Sequence, residues 1–205
     1  NGKANLEILE INCGTGEDIP FLLQFGNITA TDGSEEMLKI AIHKNPGITI
    51  QKLDLNLPIL FNKKFDLIFS NFGGLNCISP KRLKELNIEF KNGLNPGGQL
   101  IFTLMHSWSL MEFLYFLIRL KFKKAFRRIN KKAKFQKMDI YYYSAREIKQ
   151  IFSDFYLGKK YATGILLSGE YMNGIGMRLK IIEKKSQCLF PFWGADHTVY
   201  VMKKK

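Results

Sequence analysis

Three carboxylates, Glu10, Asp32 and Asp54, stand at or next to the ends of successive short apolar runs, and a turn with alternate glycines, Gly14 and Gly16, follows the first of them. Glycine lets a backbone approach a ligand closely, and a carboxylate at the end of a second run can accept both hydroxyls of a ribose. Asp32 lies sixteen residues past Gly16, near the spacing that role needs. The dinucleotide pattern G-x-G-x-x-G is not met, because Glu17 and Asp18 follow Gly16, and their charges would repel a pyrophosphate. A ligand without phosphates that bears a positive centre suits these residues better.

The elements that must hold these groups follow from the pattern along the chain. Glu7 to Ile11 reads as a strand, and a helix starts near Asp18 and runs to about Phe25, where Gly26 ends it. Ile28 to Thr31 is a second strand, and Glu35 to Lys44 a helix with Ser34 as its N-cap. Ile48 to Leu53 and Phe65 to Ser70 follow as strands. Pro80 to Lys91 is a helix, and Asn95-Pro96-Gly97-Gly98 turns into a fifth strand, Gln99 to Leu104. Strands alternating with helices in this way predict a doubly wound parallel sheet.

Beyond Leu104 the pattern changes. Trp108 to about Ile129 reads as one aromatic-rich helix, Phe135 to Tyr143 as extended, and Ala145 to Ser153 as a helix capped by Ser144. Phe155 to Tyr161 reads as a sixth strand, Tyr171 to Lys184 as a helix and His197 to Met202 as a terminal strand. One domain over residues 1–205 is the economical description, with a ligand-binding half to residue 105 and a second half that opens on a helical insertion at about 106–140.

With 205 residues, 46% of them apolar, the chain can bury a substantial core. Cys13, Cys77 and Cys188 are widely spaced and stand near no histidine at ligand spacing, so neither a disulfide framework nor a metal site is expected, and the setting is read as reducing and cytoplasmic. The most apolar run, Leu100 to Ile118, is interrupted by His106, Ser107, Ser109 and Glu112 and reads as no transmembrane helix. The net charge of +13 is unevenly placed: residues 1–111 carry ten basic and eleven acidic side chains, whereas residues 113–138 carry ten basic and none acidic. Such a block is either a solvated face or a patch that concentrates anionic partners.

Taken together, the motifs resemble those of the class I S-adenosylmethionine-dependent methyltransferases of small-molecule type. Glu10-Ile11-Asn12-Cys13-Gly14-Thr15-Gly16 is similar to that family's E-x-G-x-G-x-G with asparagine at the first glycine, and Asp32-Gly33-Ser34-Glu35-Glu36-Met37-Leu38 to its D-x-S-x-x-M-L. Asp54-Leu55, the strand Phe65 to Ser70 and the turn Leu94 to Gly98 match later motifs in order, so the resemblance covers about residues 5–105. It implies a Rossmann-like, seven-stranded, mostly parallel sheet whose last strand is antiparallel, with helices on both faces. It further implies S-adenosyl-L-methionine as cofactor, leaving S-adenosyl-L-homocysteine. By position, Glu10 and the backbone of Asn12, Cys13, Gly14, Thr15 and Gly16 would face the methionine part and Asp32 the ribose. Gly33, Met37, Asp54 and Leu55 would surround the adenine, with Ser70, Asn71 and Phe72 beside the sulfonium. Asparagine tolerates positive φ better than most residues, so Asn12 is expected to keep the turn.

For the acceptor side, a general base is needed only where the acceptor must lose a proton. His106, just past the fifth strand, and His197, next to Asp196, are the candidates for that role; His43 lies on an early helix and reads as a surface residue. Asn76, Trp108, Glu112 and Tyr142 are candidate substrate contacts. Gly73-Gly74 stands where nucleic-acid amino methyltransferases carry a Pro-Pro clamp, which disfavours adenine or cytosine amino methylation. Insertions after the fifth strand commonly form the acceptor pocket in this family, so Trp108 to Phe116 would be an apolar lid.

The leading reading is a methyltransferase for a small, hydrophobic or anionic acceptor, with Phe122, Phe126 and Ile129 on the packed face of a basic helix spanning 113–137 and its cations at a pocket rim or a membrane surface. The alternatives are an RNA methyltransferase whose 119–137 block tracks phosphates, and a non-catalytic protein that binds the cofactor.

Overall fold

The structure, a computed structural model, describes residues 5–71, 73–135, 138–163 and 195–205. Its strands are β1 (Leu6–Ile11), β2 (Gly26–Asp32), β3 (Thr49–Lys52), β4 (Phe65–Ser70), β5 (Leu94–Met105), β6 (Lys132–Phe135), β7 (Met138–Tyr141), β8 (Phe155–Thr163) and β9 (His197–Lys204). Its helices are α1 (Ile19–Leu22), α2 (Glu35–Lys44), α3 (Pro80–Gly93), α4 (Leu110–Ile118), α5 (Phe122–Ala125) and α6 (Ala145–Ile151), with a 3-10 turn at Gly74–Cys77. Seven strands form one sheet in the order β3-β2-β1-β4-β5-β9-β8. The first five are parallel, and β9 runs antiparallel to both β5 and β8. This is the expected Rossmann-like sheet with its antiparallel last strand.

Side-chain alternation divides the core into two layers. Leu9 and Ile11 of β1 and Leu100, Phe102 and Leu104 of β5 join the cluster that also holds Leu83, Leu86 and Phe90 of α3 and Ile148 of α6. Ile8 points the other way, into a cluster with Ile19 and Leu22 of α1 and Leu38 and Ala41 of α2. Helices therefore cover both faces, as buried parallel strands require. Capping fixes where three of them begin: Ser34 accepts from the Met37 amide, Ser79 from that of Arg82, and Ser144 and Glu147 form a reciprocal capping box. Asp66 works at the opposite end of the sheet from the glycine turn, where its carboxylate accepts from the Glu7 amide and from Asn95 Nδ2.

The structure corrects four readings of the sequence. The first helix is a single turn, and Gly26 is not its stop but the first residue of β2, where a Cβ would come within 2.0 Å of the Leu6 carbonyl oxygen. The helix read from Trp108 to Ile129 is two pieces, α4 and α5, and the basic segment is continued by a β6–β7 hairpin in place of further helix. The break has a local cause: Leu120 takes φ +54°, its amide bonds the Leu117 carbonyl, and the Lys121 amide bonds that of Phe116. This is the Schellman closure of a helix, with leucine where glycine is usual. Finally, Phe122, Phe126 and Ile129 are exposed, while Ala125 and Arg128 face inward. The helix read at Tyr171 to Lys184 lies outside the described residues.

Candidate functional site

The strand order reverses between β1 and β4, so a crevice opens at their carboxyl ends, where ligands bind in open α/β sheets. The turn after β1 is built from three left-handed residues, Asn12 (φ +56°), Gly14 (φ +54°) and Gly16 (φ +79°). Each serves a different need. A Cβ on Gly14 would meet nothing within 4 Å, so the space beside it is open to a ligand. One on Gly16 would lie 2.5 Å from Asn45 Nδ2, so this glycine packs the turn onto α2. Asn12 lies against Gly74, whose Cβ would sit 2.6 Å from that of Asn12.

Asp32 ties the turn to the end of β2. Its Oδ2 accepts from the Gly14 amide at 2.9 Å and its Oδ1 from the Ser34 amide at 2.8 Å, and each oxygen keeps a lone pair for a further donor. Cys13 contributes only backbone, its amide bonded to the Thr31 carbonyl; burial, with the charges of Glu10 and Asp32, pushes its thiol up to about 12. Thr15 Oγ1 bonds Glu17, which pairs with Lys44 in solvent, so of the two acidic residues after the turn only Asp18 faces the crevice. Asp18 accepts from Asn71 Nδ2 at 3.0 Å, and Asn71 Oδ1 accepts from Thr103 at 3.0 Å.

Glu10 is the unusual group here. It is 2% exposed, its Oε2 has no hydrogen-bond partner among the described residues, and burial, with Asp18 nearby, raises its carboxyl to about 8. Ser70 Oγ and Asn12 Nδ2 are likewise buried without a partner. Buried polar groups are ordinarily paired, so three orphans at the adjoining ends of β1 and β4 mark where a polar ligand belongs. A buried carboxylate beside a second one calls for a cation.

At the other end of the crevice, a Cβ on Gly33 would lie 4.0 Å from the Asp54 Cα; Asp54 is exposed and holds Asn56 through Oδ1, and Met37 is half-exposed in the first turn of α2. The Leu55 side chain is in the core, so next to Asp54 it offers the crevice its backbone only, and its carbonyl accepts from Arg82 Nε at 2.7 Å. Arg82 also bonds the Leu57 carbonyl and both oxygens of Glu89, clamping the loop that carries Asp54. The spacing Arg82, Glu85, Glu89 along one helix was the available signal for this clamp. Phe72 lies outside the described residues.

The second half of the site is arranged around a buried arginine that the sequence did not single out. Arg128, 5% exposed, bonds Glu112, the Asp196 carboxylate and carbonyl, and the His106 carbonyl. Burial alone would raise the Asp196 carboxyl, but the His197 hydrogen bond and the Arg128 charge hold it below its ordinary value; Arg127 and Arg128 do the same for Glu112. Glu112 is thus bound to two arginines and is no substrate contact. Nor is Asn76, which is fully buried and bonds the Met105 amide and the Met105 and Tyr141 carbonyls. Tyr142 is buried, with its ring 5.3 Å from Arg128. Trp108 is partly exposed and its ring packs at a tilt against Phe113, 5.0 Å between centroids.

The two candidate histidines differ in which nitrogen they offer. His106 Nδ1 accepts from the Trp108 amide at 3.3 Å, so its neutral ring carries the proton on Nε2 and is a donor. Burial, with Arg128 nearby, holds it below its ordinary 6.5. His197 Nδ1 sits 3.1 Å from Asp196 Oδ2, an arrangement that leaves Nε2 with a lone pair. Because β9 begins alongside Met105, His197 stands at the carboxyl end of β5, on the ligand side of the sheet. His43 is exposed on α2.

Comparison with known proteins shows what this crevice is similar to. Residues 8–98 match the family described as "Methyltransferase domain". Over these residues the chain is similar to that family, and its sheet has the class I, Rossmann-like order. No curated protein sequence matches the chain. Solved structures match the chain over nearly its whole length. An S-adenosylmethionine-dependent methyltransferase from Clostridium acetobutylicum is 17% identical, with 97% of this chain and 83% of that one covered and a TM-score of 0.65. A methyltransferase from Methanosarcina mazei is 14% identical, covering 99% and 94%, with a TM-score of 0.67. An S-adenosylmethionine-bound amino pentose methyltransferase of calicheamicin biosynthesis from Micromonospora echinaspora is 14% identical, covering 98% and 84%, with a TM-score of 0.62. At such identities the likeness is one of fold.

Proposed function

We propose that the methyltransferase carries a methyl group to a small, hydrophobic or anionic acceptor held beside Trp108, His106 and His197. S-adenosylmethionine, when bound, supplies an electrophilic methyl on a sulfonium. Glu10 and Asp18 present the negative charge that its cationic methionine end needs, the open face of Gly14 admits it, and Asp32 holds the ribose hydroxyls. Gly33, Met37 and Asp54 border the adenine, and Ser70 and Asn71 floor the crevice.

The observation that carries the acceptor half is the hydrogen bond between His197 Nδ1 and Asp196, whose carboxylate is in turn held by Arg128. A methyl transfer needs a base when the attacking oxygen or nitrogen must shed a proton. His197 Nε2 takes that proton, and Asp196 stabilises the imidazolium that forms. His106, as an Nε2 donor, orients an acceptor oxygen, and Trp108 packed against Phe113 gives the apolar wall. The RNA reading loses support because the basic block is partly consumed internally: Arg127 and Arg128 bind Glu112, Lys131 binds Glu147 and Lys132 binds Asp139.

The test is to incubate the protein and methyl-labelled S-adenosylmethionine with fractionated metabolites, lipids and RNA. Label in a small-molecule or lipid fraction, lost in His197→Gln, supports the proposal. Label confined to RNA refutes it, as does cofactor binding with no fraction labelled.

A further inference from the structure

The corner where α4 meets α5 has an outer surface that the site does not use. Leu110, Leu114 and Ile118 recur at four-residue steps on one face of α4, and all three are exposed. At the corner itself Ile118 is 81% exposed, Leu120 74% and Phe122 53%. Large apolar side chains scattered singly on a surface need no explanation, but three at alternate positions on one turn, continuous with an apolar stripe, do.

Leu120 is costly in two independent ways. It occupies the left-handed C′ position of a Schellman closure, where a side chain is strained and glycine is preferred, and it places its isobutyl group in water. Glycine there would remove both costs. A leucine held at this position is explained by a partner that takes the side chain out of water.

The charges around it say what kind of partner. Arg119, Lys121, Lys123 and Lys124 are exposed and interleave with these apolar residues, and none is paired with a carboxylate among the described residues. The Arg119 guanidinium lies 4.6 Å from the centre of the Tyr115 ring and Lys124 Nζ lies 5.8 Å from that of Phe116, so the stems follow the apolar surface. From these observations we infer that the α4–α5 corner is a docking surface for an anionic lipid bilayer. The aliphatic tip enters the acyl boundary while the cations meet headgroup phosphates. The two side chains that project furthest, Ile118 and Leu120, are aliphatic and offer a nucleic acid nothing to stack on, and a symmetric contact with a second copy would oppose like charges. No helix among the described residues is long and apolar enough to cross a membrane, and none is needed for this contact.

The experiment is co-sedimentation of the full chain with vesicles of phosphatidylcholine alone and of equal parts phosphatidylcholine and phosphatidylglycerol. Binding to the anionic vesicles is expected to be at least tenfold tighter than to neutral ones and to weaken with salt. Replacing Lys121, Lys123 and Lys124 together by alanine should weaken it about a hundredfold. Ile118→Asp with Phe122→Asp should abolish it. Leu120→Gly keeps the proposal separate from misfolding: it should melt no lower than wild type, bind S-adenosylhomocysteine equally, and still bind anionic vesicles several-fold more weakly. Equal binding to neutral vesicles, no binding to anionic ones, or a Leu120→Gly protein that binds as wild type would each overturn the inference. So would binding of polyuridylate at the same salt that survives Ile118→Asp with Phe122→Asp.

Discussion

Asn12 and Gly74 fit each other: the asparagine side chain fills the space that a Cβ at position 74 would need, 2.5 Å from Asn12 Nδ2. Asn12 departs from the family's glycine in the first motif, and its φ of +56° shows that the backbone there still takes the conformation glycine provides. What changed is the space on the outside of the turn. Gly74, in the loop after β4, accommodates it, so the departure and the missing Pro-Pro clamp belong to one contact between two loops of the crevice.

Gly74→Ala is therefore expected to destabilise the fold by about 1–3 kcal/mol through overpacking and to weaken S-adenosylhomocysteine binding. In an Asn12→Gly background the same substitution should cost far less. Urea unfolding of the four proteins of the cycle measures the coupling. Additive effects would show that the two residues do not share this space.

Glu10 is expected to make both stability and cofactor binding depend on pH. Its carboxyl goes from an ordinary 4.5 to about 8 on folding, so between those values the folded chain holds a proton that the unfolded chain has lost. Stability from this group accordingly falls as pH rises through that window. Glu10→Gln should make the ligand-free protein more stable at pH 8 by up to a few kcal/mol, with the gain vanishing below pH 4.5. The same variant should bind S-adenosylmethionine more weakly. Calorimetry in buffers of different ionisation enthalpy should show close to one proton released on cofactor binding near neutral pH in wild type and none in Glu10→Gln.

The donor half of the crevice was legible in the sequence because each of its groups is placed by chemistry within a few residues. Glu10, Asn12, Gly14 and Gly16 sit on one strand end and turn, and Asp32 caps the next strand through Gly14 and Ser34. The acceptor half depends on contacts that no local pattern carries. Arg128 meets Asp196 sixty-eight residues later in the chain, and that buried network decides which face of the α5 segment turns inward. Helical periodicity favoured Phe122, Phe126 and Ile129 as the packed face, but Leu120 breaks the helix and resets its phase, so the pattern was read across a discontinuity. Asn76 was misread for a related reason: a polar residue near the crevice has the same sequence signature whether it meets a ligand or ties β5 and β7 together.

The nitrogen each histidine presents separates their roles. His197→Gln is expected to lower kcat by about a hundredfold or more and to leave S-adenosylmethionine affinity nearly unchanged. His106→Gln, which keeps a side-chain donor, should act mainly on acceptor KM. A loss of kcat that follows His106 in place of His197 would reverse the assignment.

Arg128 holds two carboxylates in place, so removing it exposes both to the cost of burial. Arg128→Met should destabilise the protein by about 3–5 kcal/mol at neutral pH, since Glu112 and Asp196 lose a buried partner. Both carboxyls lie below their ordinary 4.5 and 3.8 in the folded wild type, so the stability they contribute is fully present above those values and is lost as pH falls through the lower, folded ones. In the variant, burial is less opposed and both carboxyls move up. The difference in stability between wild type and Arg128→Met, followed by urea unfolding across pH, should therefore be large at pH 7 and shrink steadily below pH 4.5. A difference that stays constant with pH would mean that Arg128 acts by packing and not by charge. Adding Glu112→Gln to Arg128→Met should recover part of the loss at neutral pH, because one of the two stranded charges is then gone.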